Sequence, residues 1–462
     1  MYRSRRIHLI GIGGVGMAGI AEVLLTLGYQ VSGSDLKESP VLVRLRSLGG
    51  RIAVGHAAEH LADAEVVVVS SAVPRSNPEW LAAEARGIPV VPRAEMLGEL
   101  MRTKYAVAVS GAHGKTTTTS MIASVLTEGG LDPTVVVGGR IRAAQSGARL
   151  GAGNLMVAEA DESDGSFLKL WPTIAVVTNL DREHMEHFGS MEALRTAFAA
   201  FIDRVPFYGA AVLGIDNPEV RALAAGASRR ILTYGLAPDA EYRATEITSA
   251  GLESHFLVLR EGRPLGPVTL SMPGRHNVVN SLAAVAVGLE FELPFAAVRD
   301  GLGKFGGVAR RFEIRGEHGE VIVVDDYGHH PTEIAAVLTT ARSTWPDRRL
   351  IVVFQPHRYS RTRDLAAQFG TAFSGAGRVI LAPIYAAGEK PIPGVSADGL
   401  GAVIEQGSAV PVTVARDLAA AGEILSREVR PGDVVLTLGA GDVWRVGEAW
   451  LAGDGATAAG AA

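Results

Sequence analysis

The stretch Val109-Ser-Gly-Ala-His-Gly-Lys-Thr-Thr-Thr-Thr119 has the residue types and spacing to do chemistry. It follows an apolar run, Tyr105–Val109, and precedes a helix-like pattern, Met121–Leu126. A strand, a glycine turn with Lys-Thr and then a helix is how a chain cradles phosphates. Backbone N–H groups face the anion, the lysine adds a point charge and the threonine offers a hydroxyl to Mg²⁺. This pattern assigns Gly111, Ala112, His113, Gly114, Lys115, Thr116 and Thr117 to a nucleoside triphosphate. The spacing departs from the commonest loop, which has a glycine where Val109 stands here.

Further polar groups follow apolar runs. Glu159-Ala-Asp-Glu-Ser-Asp164 comes after Leu155–Ala158, and carboxylates downstream of a phosphate loop suit Mg²⁺. Asn179–His187 comes after Ile174–Val177; His184 beside carboxylates fits a metal ligand or a general base. Gly11-Ile-Gly-Gly-Val-Gly16 lies between a strand and a helix, and Asp35 ends the next strand. That fingerprint suits NAD, FAD or the diphosphate of a UDP-sugar. Gly274–Asn280 opens a helix with His276, Asn277 and Asn280 in one turn, as a polar face or a cap. Arg310-Arg311 sits at a junction from which an arginine could reach a phosphate. Asp325–Glu333 and Gln355–Arg363 follow two more apolar runs, and the arginines of the second suit a carboxylate-bearing substrate.

The elements that must position these groups fall into three α/β segments, 1–104, 105–308 and 309–450. Short buried runs alternate with helical patterns in each, which argues for doubly wound parallel sheets. Ligand groups in such sheets lie at the carboxyl ends of the strands, where these motifs are. The small, weakly patterned residues 451–462 read as a disordered tail.

A chain of 462 residues exceeds one ordinary core, and 47% apolar with 20% charged residues is the composition of a folded protein. The net charge of −5 lacks the basic excess of nucleic-acid binders. The absence of cysteine excludes disulfides, thiolate-bound zinc and thiol nucleophiles. Arg3, Arg5 and Arg6 before the apolar run Ile7–Leu27 mimic a signal peptide. The run holds five glycines and Glu22, however, so a soluble intracellular protein with no stable membrane insertion is expected.

Taken together, His8–Met17, Ser70–Val73 with Asn77-Pro-Glu79, Gly111–Thr117, Glu159–Asp164, Asp325–Glu333, Gln355–Thr362 and Pro383–Val395 resemble the Mur ligase family over almost the whole chain. The resemblance implies three domains: a Rossmann-like N-terminal domain for a UDP-sugar, a central P-loop ATPase-type domain, and a Rossmann-like C-terminal domain for an amino acid. It implies ATP-dependent ligation of L-alanine to the lactyl carboxylate of UDP-N-acetylmuramate through an acyl phosphate, in peptidoglycan precursor synthesis in the cytoplasm. Lys115 would hold the β- and γ-phosphates. Thr116 and Glu159 would hold one Mg²⁺, and His184 would help hold a second. Arg311 would balance charge on the transferring phosphoryl group. Asn277 and Asn280 match adenine contacts, and Asp326 a third-domain nucleotide contact. His357, Arg358 and Arg361 match the alanine-carboxylate region. Gly13, Gly14, Gly16, Met17, Asp35 and Ser70 lie at the UDP end. Relatives that add later residues often use a carbamylated lysine near the second metal; Glu192–Ile202 has no lysine, as expected of the alanine-adding member. The nearest rival is a ligase that attaches a tripeptide to the same UDP-sugar, and the more distant ones are an NAD-dependent oxidoreductase and a P-loop motor. Monomer and dimer both remain open.

Overall fold

A computed structural model describes residues 5–70, 72–141 and 146–453. The chain is α/β, with three sheets. The first holds β1 Arg6–Ile10, β2 Gln30–Asp35, β3 Arg51–Val54, β4 Val66–Val69 and β5 Val90–Pro92. All are parallel, in the order β3-β2-β1-β4-β5, so the order reverses beside β1. The glycine turn after β1 lies at that switch point, where ligands of open α/β sheets bind.

The second sheet has ten strands. Its centre is parallel: β6 Tyr105–Ser110 lies between β9 Leu155–Glu159 and β10 Ile174–Val177. β7 Thr134–Ile141 and β8 Ser146–Arg149 extend one side; β11 Ala210–Gly214 and β12 Ile231–Gly235 extend the other. β13 Tyr242–Ala250, β14 Glu253–Arg260 and β15 Arg263–Leu270 complete that edge. The buried, apolar β6, β9 and β10 bring the phosphate loop, Glu159 and Thr178-Asn179 to one end of the sheet. The first two sheets share one apolar cluster. Val23 and Leu24 of the helix Val15–Thr26 and Leu97 and Leu100 of the helix Arg93–Met101 belong to it together with Phe167 and Leu170.

The third sheet, in a separate compact unit, holds β16 Glu313–His318, β17 Val321–Asp326, β18 Leu350–Phe354, β19 Arg378–Leu381, β20 Val412–Val414 and β21 Val434–Leu438. Its order is β16-β17-β21-β18-β19-β20, parallel except for the edge pair β16–β17. The last helix closes at Leu451; of the expected tail, residues 454–462 lie outside the described residues, as does Ser71 of the motif Ser70–Val73.

The first sheet carries a buried polar hub. The fully buried Glu79 carboxylate accepts hydrogen bonds from the Ser34 hydroxyl (2.5 Å) and the Ala57 N–H (3.2 Å). His60 Nδ1 lies 2.8 Å from it and His8 Nε2 3.3 Å. Burial acts to raise the Glu79 pKa, but the hydrogen bonds of His8, Ser34 and His60 outweigh it and hold the carboxyl down at about 2. A carboxyl with a depressed pKa stabilises the fold fully above its ordinary value of 4.5 and loses that contribution as pH falls through about 2. Wild type should therefore lose melting temperature more steeply than Glu79→Gln between about pH 5 and 2, as read by circular dichroism. Parallel curves would remove Glu79 from the acid response.

Candidate active site

The sequence dictates the local shape of the phosphate loop. Gly111 has φ +132°, and a Cβ there would come within 2.2 Å of Thr178 Oγ1. Gly114 has φ +80°, and a Cβ there would lie 2.8 Å from Asn280 Oδ1. Both positions need glycine for backbone conformation and for space. The loop leans on β10: Asn179 Oδ1 accepts the His113 N–H (2.8 Å), Thr178 Oγ1 donates to His113 O (2.6 Å), and Asn179 O accepts the Ala112 N–H (3.0 Å). The His113 ring reaches Asp181 Oδ2 at 3.0 Å. Thr178, Asn179 and Asp181 thus brace the loop. The first half of the motif Asn179–His187 is scaffolding, and His184, the expected metal ligand or base, stands in its second half.

Lys115 opens the helix Lys115–Glu128 and folds back over its own loop. Its Nζ donates to Gly111 O (2.7 Å), Ala112 O (3.2 Å) and Glu162 Oε1 (2.8 Å). Burial alone would lower the Lys115 pKa, but Glu162, Glu159 and Asp161 outweigh it and hold the ammonium protonated, above its ordinary range. Burial pushes Glu162 the other way, up to about 7, against the pull of Lys115. Thr117 is buried behind the loop.

Two groups of metal donors face this loop. The Thr116 hydroxyl donates to Glu159 Oε2 at 2.9 Å, which puts a hydroxyl and a carboxylate oxygen side by side, the donor types Mg²⁺ prefers. His184 stands with Glu162 and Glu183 instead: their ligand atoms lie within 4.8 Å of one another. His184 Nε2 is 3.8 Å from Glu162 Oε1 and 3.9 Å from Glu183 Oε2. Glu162 Oε2 is buried and accepts no hydrogen bond among the described residues. A buried carboxylate oxygen in that state fits a cation. His184 also has φ +56°, a strained conformation for a histidine that exposes its ring to these carboxylates. Beside His184, expected at a second ion, the structure adds two ligand candidates, Glu162 and Glu183. The sequence places Glu162 in an acidic run suited to Mg²⁺ but gives it no partner, and it assigns Glu183 no role of its own.

Asn280 is brought to the loop, against Gly114. Asn277 is buried one turn earlier, inside the helix Arg275–Glu290, so it does not occupy the N-cap.

At the glycine loop after β1 most donors are engaged within the fold. Ser34 O accepts the N–H groups of Gly11 (2.9 Å) and Ile12 (3.0 Å). Asp35 Oδ2 accepts that of Gly13 (2.8 Å), and its Oδ1 that of Leu36 (2.8 Å). Asp35, placed at the UDP end by the resemblance, clamps the loop. The side chain of Met17 packs in the apolar cluster, so only its backbone can face a ligand; the helical phase turns it inward. Gly14 is exposed and Gly16 half-buried, and Ser70 lies against Gly11.

In the third-sheet unit the junction arginines divide their tasks. Arg310, at φ +59°, donates to Asp325 (2.8 Å), Gly439 O (2.6 Å) and Gly441 O (3.2 Å) and is wholly structural. Arg311 lies over the Tyr327 ring at 5.3 Å, with Glu333 3.6 Å away. Asp326 accepts the N–H groups of Phe312 (2.7 Å) and Gly328 (2.6 Å), which fixes the backbone beside Arg311. Burial raises its pKa to about 6, opposed by Arg311. His357 stacks on Tyr385 at 5.4 Å, and Arg361 Nη1 lies 3.3 Å from its Nδ1. Burial, then His329 and Arg361, lower the His357 pKa to about 3, so the ring is neutral and can accept a hydrogen bond. Arg358 is held at φ +71°, between His357 and the helix Tyr359–Asp364.

Three family models match consecutive parts of the chain: Mur ligase family, catalytic domain, over residues 6–105; Mur ligase middle domain, over 109–288; and Mur ligase, glutamate ligase domain, over 310–441. A UDP-N-acetylmuramate–L-alanine ligase from Geobacter sp. strain M21 is 54% identical over 449 residues, 97% of each chain. One from Geobacter sulfurreducens is 53% identical, over 97% of this chain and 98% of its own. The crystal structure of the UDP-N-acetylmuramate–alanine ligase of Thermotoga maritima superposes with a TM-score of 0.81 at 28% identity, over 97% of this chain and 98% of that one. A murein peptide ligase from Psychrobacter arcticus has the same fold, with a TM-score of 0.70 at 24% identity, over 98% of this chain and 100% of its own.

Proposed function

Because the chain belongs to the Mur ligase family, we propose that it joins L-alanine to the lactyl carboxylate of UDP-N-acetylmuramate, with ATP converted to ADP and phosphate. The observation that carries this is the likeness, over almost its full length, to ligases of that name. The phosphate loop and its facing carboxylates give the chemistry a place.

A carboxylate and an ammonium do not condense in water unaided. The carboxylate oxygen attacks the γ-phosphorus and the bond to the β-phosphate oxygen breaks, so ADP leaves. The alanine nitrogen, having lost a proton, then attacks the acyl carbon, and the carbon–oxygen bond to phosphate breaks. Two anions must meet first, so fixed positive charge dominates the design. Lys115 supplies it at the β- and γ-phosphates, leaving Glu162 for them. Arg311 would balance charge on the transferring phosphoryl group. Thr116 and Glu159 would hold one Mg²⁺, and His184 with Glu162 and Glu183 a second. Such ions screen phosphate charge and orient the transferring group. Asn277 and Asn280 would take the adenine, with Asp326 holding the backbone beside Arg311. His357, Arg358 and Arg361 would grip the alanine carboxylate. Gly13, Gly14, Gly16, Asp35 and Ser70 would frame the UDP end. We assign 1–104 to the UDP-sugar domain, 105–308 to the ATP domain and 309–450 to the amino-acid domain. Among the described residues no helix is long and apolar enough to cross a membrane. We place the protein in the cytoplasm, where ATP and a UDP-sugar are both present.

Phosphate release should require UDP-N-acetylmuramate and an amino acid together, with L-alanine preferred over glycine and L-serine. Release with a tripeptide but not with L-alanine would replace this function with peptide recycling. Release without the sugar nucleotide would end it.

A further inference from the structure

We infer that Arg93 grips the diphosphate of the UDP-sugar. This inference rests on the function proposed above.

The argument begins with what the glycine loop lacks. In a dinucleotide-binding loop the backbone N–H groups and the following helix meet the pyrophosphate. Here the N–H groups of Gly11, Ile12 and Gly13 are already held by Ser34 O and Asp35 Oδ2. Asp35 also places a carboxylate beside the loop, which opposes an incoming anion. The start of the helix Val15–Thr26 offers backbone N–H groups but no full positive charge to balance a diphosphate, and Arg93 stands where it can supply one. Its Nη1 lies 3.0 Å from where a Cβ on Gly16 would sit, so Gly16 leaves room for the guanidinium.

Arg93 opens the helix Arg93–Met101, directly after the carboxyl end of β5. That helix is fastened from both sides. Leu97, Leu100 and Met101 pack in the shared apolar cluster. A Cβ on Gly98 would come within 2.4 Å of Lys169 O, and Lys169 Nζ pairs with Glu95 at 3.1 Å. The arginine is thus set on a rigid mount between the glycine loop and the acidic run Glu159–Asp164. Its charge also reaches Asp161, where it assists Lys115 in holding that carboxyl low.

Half-buried arginines elsewhere in the fold are tied down: Arg310 to Asp325 and two carbonyls, Arg349 to Asp433. Arg93 is half-buried too, yet among the described residues its side chain makes no hydrogen bond and no ion pair. A planar guanidinium left in that state matches a phosphate pair bidentately. The diphosphate fits better than the lactyl carboxylate. The carboxylate must travel on to the γ-phosphate at Lys115, whereas the diphosphate stays beside the glycine loop.

The test is calorimetric titration of the full chain, without ATP, with uridine, UDP, UDP-N-acetylmuramate and ADP. Arg93→Gln should weaken UDP and UDP-N-acetylmuramate about 10- to 100-fold, the loss expected for a charge-assisted bidentate contact. It should leave ADP unchanged and keep whatever affinity wild type has for uridine. Arg93→Lys should fall between, and it serves if the glutamine variant folds poorly. UDP affinity equal to wild type in either folded variant would overturn the inference. So would a parallel loss for UDP and ADP, which would mark a general loss of structure. A wild-type chain that binds neither UDP nor UDP-N-acetylmuramate would instead overturn the sugar-nucleotide function itself.

Discussion

Lys115→Ala should reduce turnover by about 10³-fold or more while the protein stays folded. The lysine is the phosphate loop's own fixed cation, and removing a preorganised charge from a phosphoryl-transfer site costs on the order of 4 kcal/mol in the transition state. Its effect on stability is smaller than a buried ion pair would suggest. Removing one partner normally strands the other as a buried charge, at about 3–5 kcal/mol. Glu162, however, is already raised to about 7 with Lys115 present. Without the ammonium it binds a proton at neutral pH and becomes a neutral, hydrogen-bonding acid. Its raised pKa also sets the sign of the pH effect. The protonated form is favoured in the folded variant, so its stability should be greatest at acid pH and fall as pH rises through the folded-state pKa. Phosphate release together with thermal melting from pH 5.5 to 8.5 checks both halves. Near-normal release would remove Lys115 from catalysis. A stability that rose across that range would contradict the assignment of the proton to Glu162.

The legible parts of this site are those in which chemistry and local structure share one segment of chain. Gly111–Thr119 announces itself because the turn, the lysine and the helix start are consecutive, and Glu159 because it ends a buried strand. The departure at Val109 has a plain structural setting, since that residue is the last apolar position of β6 and is fully buried. What the sequence hid is which residue meets which. Glu162 and Glu183 lie in the runs Glu159–Asp164 and Asn179–His187, yet nothing in their spacing shows that one holds Lys115 and both face His184. Asp35 was read by its position after the second strand. Its partner, the Gly13 N–H, is set by how the loop curls back over β2. The resemblance puts Met17 at the UDP end, although the helix turns its side chain into the core. Arg310 and Arg311 look equivalent in sequence. Both guanidinium groups lie over the Tyr327 ring, but Arg310, at a left-handed backbone position, is bonded to Asp325 whereas Arg311 faces Glu333. Arg93 carried no motif at all, and only the empty space at Gly16 reveals it.

Glu159→Gln separates the two donor groups around the phosphate loop. The substitution keeps shape and an oxygen that can accept the Thr116 hydroxyl, but it removes the charge that makes this pair a site for a hard divalent ion. The Mg²⁺ concentration for half-maximal phosphate release should rise about tenfold or more, and turnover at saturating Mg²⁺ should fall about 10²-fold. Mn²⁺ binding followed by electron paramagnetic resonance, with ADP present, should weaken in parallel without any turnover being needed. The melting temperature should stay within a few degrees, because Glu159 is only half-buried and its neutral isostere fills the same space. Thr116→Val should act in the same direction but less, since a hydroxyl contributes a dipole where the carboxylate contributes a charge. An unchanged Mg²⁺ titration and unchanged Mn²⁺ binding would remove Glu159 from the cation site. The duty would then pass to Glu162, Glu183 and His184, whose ligand atoms already converge and whose Glu162 Oε2 is buried without a hydrogen bond among the described residues.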